Sequence, residues 1–239
     1  MKIKVIIPNS GMDRVTLNSR ETMLSHALSQ NTQISVDCIE YGPDSIESNS
    51  DEVLAGIPLV KQCIQAEQEG FDAVVVYCFS DLAIDAVREN VSIPVVGPGE
   101  VAIAAAGMIS NRFTVITTTD ENISRTERRL MKNKIAGEKM TSVRALNIPV
   151  VELREDPDAT KRYLEKVCGE AAKEERIDTV ILGCLGLAQY GDFIKEKFGV
   201  QVIDPAFIAV AYAEMCARLR LVHSRKAYSR YEKGTKNGL

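Results

Sequence analysis

Histidine is almost missing from this chain of 239 residues, which carries only His26 and His223. Its six cysteines, at positions 38, 63, 78, 168, 184 and 216, form no CxxC pair, so a zinc cluster has little to be built from. Long apolar runs are missing too. Met1 to Pro8 is too short for a signal peptide and lacks a cleavage site, and the longest helix-like apolar stretch, Val101 to Ile109, falls well below membrane-spanning length. We therefore expect a cytoplasmic protein with free thiols and no membrane partner. No Walker or dinucleotide pattern surrounds Gly97-Pro98-Gly99, which reads as a turn and not as a phosphate loop. A net charge of -4 supplies no whole-chain positive field, so nucleic acid is not expected and a small molecule is the expected partner.

What is present is an ordinary globular balance, 45% hydrophobic and 26% charged residues, enough to bury a core in one large domain or two lobes. One pattern occurs twice. Asp72-Ala-Val-Val-Val-Tyr-Cys78 and Asp178-Thr-Val-Ile-Leu-Gly-Cys184 each place an Asp six positions before a Cys, with a short apolar run between them. Each reads as a buried strand that delivers a thiol at its C-terminal end. The chain then returns through Ile93-Pro-Val-Val-Gly97-Pro98 in the first half and Val200-Gln-Val-Ile-Asp204-Pro205 in the second.

Strand and helix signals alternate along both halves. Strands are expected at Ile3 to Ile7, Gln33 to Glu40, the first cysteine run and Val95-Val96, then at Phe113 to Thr117, Val143 to Ile148, the second cysteine run and Val202-Ile203. Helices fill the gaps, among them one from Asp81 to Glu89 and a charged one from Glu121 to Ile135. Such alternation means parallel sheets covered by helices. The expected fold is α/β with two pseudo-symmetric lobes, each a parallel four-stranded sheet flanked by helices, with the active site between them. Residues 1–98 with 206–225 form the first lobe and 99–205 the second. From Arg218 the chain gathers seven Lys or Arg against Glu232 alone, and 226–239 read as a basic, solvated tail. Ligands of open parallel sheets bind beyond the carboxyl ends of strands, where Asn9, Cys78, Thr117 and Cys184 fall.

The segments Pro8-Asn9-Ser10, Gly42-Pro-Asp-Ser-Ile-Glu-Ser48, Cys78-Phe-Ser-Asp81, Pro94-Val-Val-Gly97 with Glu100, Thr117-Thr118, and Gly183-Cys-Leu-Gly186 with Asp204 occur in that order. Together they resemble the hydantoin racemase branch of the aspartate/glutamate racemase superfamily, from the first strand to the last helix. The chain departs from that pattern at Ser10, where Thr is usual, at Leu82-Ala83, where Pro-Gly is usual, and at Leu185, where a smaller residue is usual.

The resemblance implies a racemase that needs neither metal nor other cofactor, with Cys78 and Cys184 alternating as base and acid. Inverting a carbon that bears an acidic hydrogen takes a base on one face and an acid on the other, and a thiolate and a thiol suit both tasks near neutral pH. Both cysteines precede an expected helix start, whose free N–H groups favour anions. Asn9, Ser10, Thr117 and Thr118, with backbone amides near Phe79, Ser80, Leu185 and Gly186, would hold the substrate. Its expected class is a 5-monosubstituted hydantoin or allantoin. A racemase of acidic amino acids, a cysteine-dependent maleate-type isomerase or decarboxylase, and a two-lobed binding protein are the alternatives. Taken singly, a cysteine at the end of an apolar strand is more often a small core residue, and that reading is kept for Cys38, Cys63, Cys168 and Cys216. Ser80 and Asp81 equally suit a helix cap, and Thr117-Thr118 a turn. His26 and His223 are given no catalytic part. A homo-oligomer is expected.

Overall fold

Two four-stranded parallel sheets carry the chain, and in both the strand that enters first lies second in the sheet. A computed structural model describes residues 1–131 and 134–230. The first sheet consists of β1 (Lys2–Ile7), β2 (Gln33–Cys38), β3 (Ala73–Val76) and β4 (Val95–Val96), in the order β2-β1-β3-β4. The second consists of β5 (Phe113–Thr117), β6 (Met140–Ala145), β7 (Thr179–Leu182) and β8 (Gln201–Ile203), in the order β6-β5-β7-β8. The helices are α1 (Arg14–Ser25), α2 (Asn49–Gln68), α3 (Ile84–Asn90), α4 (Pro98–Ile109), α5 (Glu121–Leu130), α6 (Lys134–Lys139), α7 (Pro157–Glu175), α8 (Gly191–Phe198) and α9 (Pro205–Leu219). The chain divides into two units, one made of Met1–Pro98 and the chain from Ala209, the other of Gly99–Ile208. Each crossing falls in the first turn of the helix that follows a fourth strand. Among the described residues, no helix is long and apolar enough to cross a membrane.

Burial explains why some strands are easy to read in the sequence and others are not. Every residue of β3, β5 and β7 is buried, because helices cover both faces of an inner parallel strand. In the first unit Ile6, Val74 and Val76 pack with Leu59 and Val87; in the second, Ile116, Val180 and Leu182 pack with Leu164 and Ile194. The edge strands β2 and β6 are half-buried and polar. β6 consequently runs Met140–Ala145, not 143–148, since Thr141 and Ser142 belong to the strand and hide its start.

Those polar residues hold the sheet edges. On β6, Thr141 and Ser142 donate their hydroxyls to Glu175 Oε2 at 2.6 and 2.8 Å, and Arg144 Nε donates to Oε1 at 2.8 Å. Burial opposes the charge on Glu175, but these donors outweigh it and hold the carboxyl below its usual 4.5. A lowered pKa means stability that is present above 4.5 and lost as the pH falls through the folded value. Glu175→Gln is therefore expected to cost about 1–2 kcal/mol at pH 7, with the difference from the parent shrinking below pH 4.5 in denaturant titrations. On β2, Glu21 of α1 accepts the Val36 N–H at 2.8 Å, and Arg14 pairs with both Glu21 and Asp37, which blunts that edge.

The duplicated aspartates prove to be clips. Asp72 accepts the backbone N–H of Lys2 at 2.7 Å, and Asp178 accepts those of Asn111 and Arg112 at 2.9 and 3.0 Å. Each ties the start of its cysteine strand to the start of the neighbouring inner strand, at the far end from the thiol. Two helices differ from expectation. The charged segment forms α5 and α6 rather than one helix, and α3 starts at Ile84 because Asp81 and Ala83 take left-handed backbone angles, φ 51° and 53°.

The chain after α9 packs on the fold, and so do Tyr228 and Arg230 of the segment 226–239 expected as a basic, solvated tail. His223 Nε2 lies 3.0 Å from the Val95 nitrogen and 2.8 Å from its oxygen, so its ring covers the β4 edge. Arg225 donates to the carbonyls of Arg88 and Glu89 at 3.0 and 3.3 Å and also to that of Val91, which caps the C-terminus of α3. Tyr228 stacks on the Arg88 guanidinium, 5.5 Å from ring centre to carbon. His223 thus covers an edge strand that would otherwise expose its N–H and C=O groups, while Arg225 and Tyr228 hold the end of α3. The remaining tail positions, 231–239, lie outside the described residues.

Candidate active site

Cys78 and Cys184 occupy matching places in the two sheets, the second residue beyond the third strand in chain order. Both are half-buried and neither is in a disulfide. Parallel register fixes these positions: Ile6 pairs with Val76 and Ile116 with Leu182. The Tyr77 N–H then bonds to the Ile6 carbonyl at 2.9 Å, and the Gly183 N–H to the Ile116 carbonyl at 2.7 Å, carrying each ladder one residue past the strand. After that residue both backbones turn.

The turns differ in form, and each brings a polar group to sulfur. After Cys78 the Asp81 N–H returns to the Cys78 carbonyl at 3.0 Å, and the Ser80 hydroxyl lies 3.3 Å from Sγ. After Cys184, residues Leu185–Leu187 make one turn of 3-10 helix with Cys184 as N-cap, and the Gly186 N–H points at Sγ from 3.4 Å. In each half the group two positions after the cysteine faces its sulfur. Hydrogen bonding to the anion favours a thiolate over a thiol. The expectation that each thiol directly precedes a helix holds only for the short turn after Cys184. At Cys78 the left-handed residues 81 and 83 intervene, and the N-cap of α3 is Ala83, which offers no side-chain cap.

The other cysteines divide. Cys63 and Cys168 are buried, and burial pushes their thiols up, Cys168 to about 12 and Cys63 further, which leaves both unreactive. Cys216 is buried and raised for the same reason. Cys38 is not a core residue. It ends β2 half-buried, in register with Ile7, with Sγ 3.9 Å from the Met12 carbonyl.

Beyond β1, Asn9 and Ser10 are half-buried. Ser10 ties down the loop at 42–48: its N–H bonds to the Pro43 carbonyl at 2.8 Å and its hydroxyl to the Gly42 carbonyl at 2.7 Å. Its hydroxyl proton is thus already used, leaving Asn9 the freer polar group of the pair. Phe79 is buried beside Cys78 and Leu185 beside Cys184, so each thiol has an apolar neighbour in sequence. Thr117 ends β5 and Thr118 follows it; both are buried, and their carbonyls accept Leu146 and Ile148 N–H groups at 3.0 and 3.1 Å. The Thr118 hydroxyl accepts from Asn122 Nδ2 at 2.9 Å, and Asn122 in turn accepts from Arg125. That polar relay at the start of α5 was missed in the sequence. Its only signal was the i, i+4 and i, i+3 spacing of three polar residues in a segment already full of charges.

Space is tight where these turns pack. A Cβ on Gly186 would lie 2.9 Å from Leu153 Cδ1, and one on Gly97 would collide with the Asp81 carboxylate.

The family described as Asp/Glu/Hydantoin racemase matches residues 3–213. The chain is 35% identical over 216 residues to the hydantoin racemase of Rhizobium meliloti, a match spanning 90% of this chain and 88% of that one. It is 32% identical over 234 residues to the hydantoin racemase of Pseudomonas sp. (strain NS671), spanning 98% and 93%. Among solved structures, allantoin racemase from Pseudomonas fluorescens is similar with a TM-score of 0.89 at 28% identity, covering 98% of both chains.

Proposed function

Because the chain belongs to the Asp/Glu/Hydantoin racemase family, we propose that it is a cofactor-independent racemase inverting the C5 stereocentre of 5-monosubstituted hydantoins or of allantoin, with Cys78 and Cys184 as its two acid–base groups. The enzyme is an isomerase. The observation that most supports the two-thiol reading is the polar group set against each sulfur, Ser80 Oγ at 3.3 Å and Gly186 N–H at 3.4 Å, on turns that leave equivalent strands.

The mechanism balances without a cofactor. One cysteine, as thiolate, takes the C5 hydrogen with its proton only, and the bonding pair moves into the ring carbonyl to give an enolate. The other cysteine, as thiol, gives its proton to the opposite face of C5. The product has inverted configuration and the protonation states of the two sulfurs are exchanged. C5 of a hydantoin lies between a carbonyl and a ring nitrogen, so the ring itself delocalises the charge. Phe79 and Leu185 would give each thiol an apolar flank, which suits an uncharged ring better than a dicarboxylate. Asn9, Ser10, Thr117, Thr118 and the backbone near Ser80 and Gly186 would hold the ring and its enolate oxygen.

The test is a panel of single-enantiomer hydantoins, allantoin, aspartate, glutamate and maleate, incubated with purified protein in deuterium oxide without added cofactor. The expected result is decay of optical rotation for a hydantoin or for allantoin, with deuterium entering at the stereocentre. Racemisation of aspartate or glutamate alone, or conversion of maleate alone, would replace this substrate assignment.

A further inference from the structure

Asp204 stands one residue beyond β8, and the resemblance gives it no role. One of its oxygens does what an aspartate before Pro205 commonly does: Oδ1 accepts the Ala206 N–H at 3.0 Å and caps α9. The other reaches sideways. Oδ2 accepts the N–H of Gln189 at 3.2 Å, and Gln189 is held in a left-handed conformation, φ 80°. Gln189 lies in the turn that begins at Cys184, where successive N–H groups of Leu187, Ala188 and Tyr190 return to the carbonyls of Cys184, Leu185 and Leu187 at 3.0, 3.3 and 3.2 Å. A bonded ladder therefore runs from the Asp204 carboxylate back to the turn that aims Gly186 N–H at Sγ.

The first unit contains the same device built from the opposite side. There the turn after Cys78 supplies the carboxylate, Asp81, which lies against Gly97 just beyond β4 so closely that no Cβ fits. In both units a carboxylate spans the turn after the cysteine and the end of the fourth strand. We propose that Asp204 is a positioning residue for Cys184: it anchors the 185–190 turn so that the Gly186 N–H stays directed at sulfur. Burial pushes the Asp204 carboxyl up from its usual value against the pull of its N–H partners, a cost that an exposed helix cap would not carry.

This inference rests on the catalytic reading of Cys184 for its importance, but its test does not depend on turnover. Asp204→Asn keeps an oxygen to cap Ala206 and turns an NH2 group toward the Gln189 N–H, which breaks only the sideways bond. The experiment is iodoacetamide labelling of the native protein at neutral pH, with Cys78 and Cys184 followed separately by peptide mass spectrometry. We expect Cys184 to label about fivefold more slowly in the variant, the worth of about one hydrogen bond, with Cys78 unchanged and thermal stability nearly so. A Cys184 rate that is unchanged, faster, or slowed in step with Cys78 overturns the proposal and leaves Asp204 a helix cap. If the Asn variant does not fold, Asp204→Ser, with a capping oxygen too short to reach Gln189, gives the same readout. An active Cys184→Ser enzyme would defeat the racemase mechanism and leave this coupling untouched.

Discussion

Cys78→Ser and Cys184→Ser are each expected to lower racemisation by at least about a thousandfold, the scale of losing one acid–base group, while leaving the fold intact. The two variants should not be equivalent. Under the proposed two-base mechanism, the remaining thiolate of each variant would remove the hydrogen of one enantiomer and return solvent deuterium to the same face. Cys78→Ser should therefore exchange one enantiomer without inverting it, and Cys184→Ser the other. Deuterium incorporation followed by NMR on each single enantiomer, beside polarimetry, reads this directly. Full racemisation by either variant, or exchange of the same enantiomer by both, would contradict a two-base mechanism. Serine suits the experiment because its hydroxyl nearly matches the thiol in size but gives up its proton far less readily, so packing changes little where chemistry changes greatly.

The second large effect is on stability. Gly183→Ala is expected to destabilise the protein by about 3 kcal/mol, which for a chain of this size is a fall in Tm of roughly 6–12 °C. A Cβ at this position would meet Val115 Cγ1 at 2.6 Å and the Ile116 carbonyl oxygen at 2.8 Å. That oxygen is the acceptor for Gly183's own N–H, and Ile116 is fully buried in an inner strand. Neither neighbour can swing away as an exposed side chain would. The residue that moves is Gly183, and with it the adjacent Cys184, so activity should fall along with the melting temperature. A Tm within about 1 °C of the parent would mean that β5 and β7 can separate at this point, and would weaken the view that Cys184 is held by sheet register.

How legible the molecule was in its sequence depended on which strands were looked at. β3, β5 and β7 stood out because a strand buried on both faces must be a continuous apolar run. The polar start of β6 was unreadable for the converse reason: Thr141 and Ser142 serve Glu175 rather than a core, and only the fold brings that acid to them. The repeated Asp–Cys pattern was visible as a pattern, yet its two ends proved to do different work. Asp72 and Asp178 clip strand starts, while the cysteines sit at strand ends. The chain from His223 to Arg230 carries a charge pattern typical of a solvated tail, and local composition could not show that three of its residues match the exposed edge of β4 and the end of α3.

By itself, the order of apolar runs and turn residues determined the α/β class, the doubled topology and the two thiols at strand ends, because helix and strand periods and strand burial are written locally in the chain. Tertiary structure alone decided which groups face those sulfurs, that the Ser10 hydroxyl is engaged by the 42–48 loop, and that Asp204 reaches Gln189. These depend on backbone directions after a strand ends, on left-handed residues such as Asp81, Ala83 and Gln189, and on partners distant in sequence. A hydrogen bond is set by angles and tenths of an ångström, and residue order carries that information only once the chain has folded.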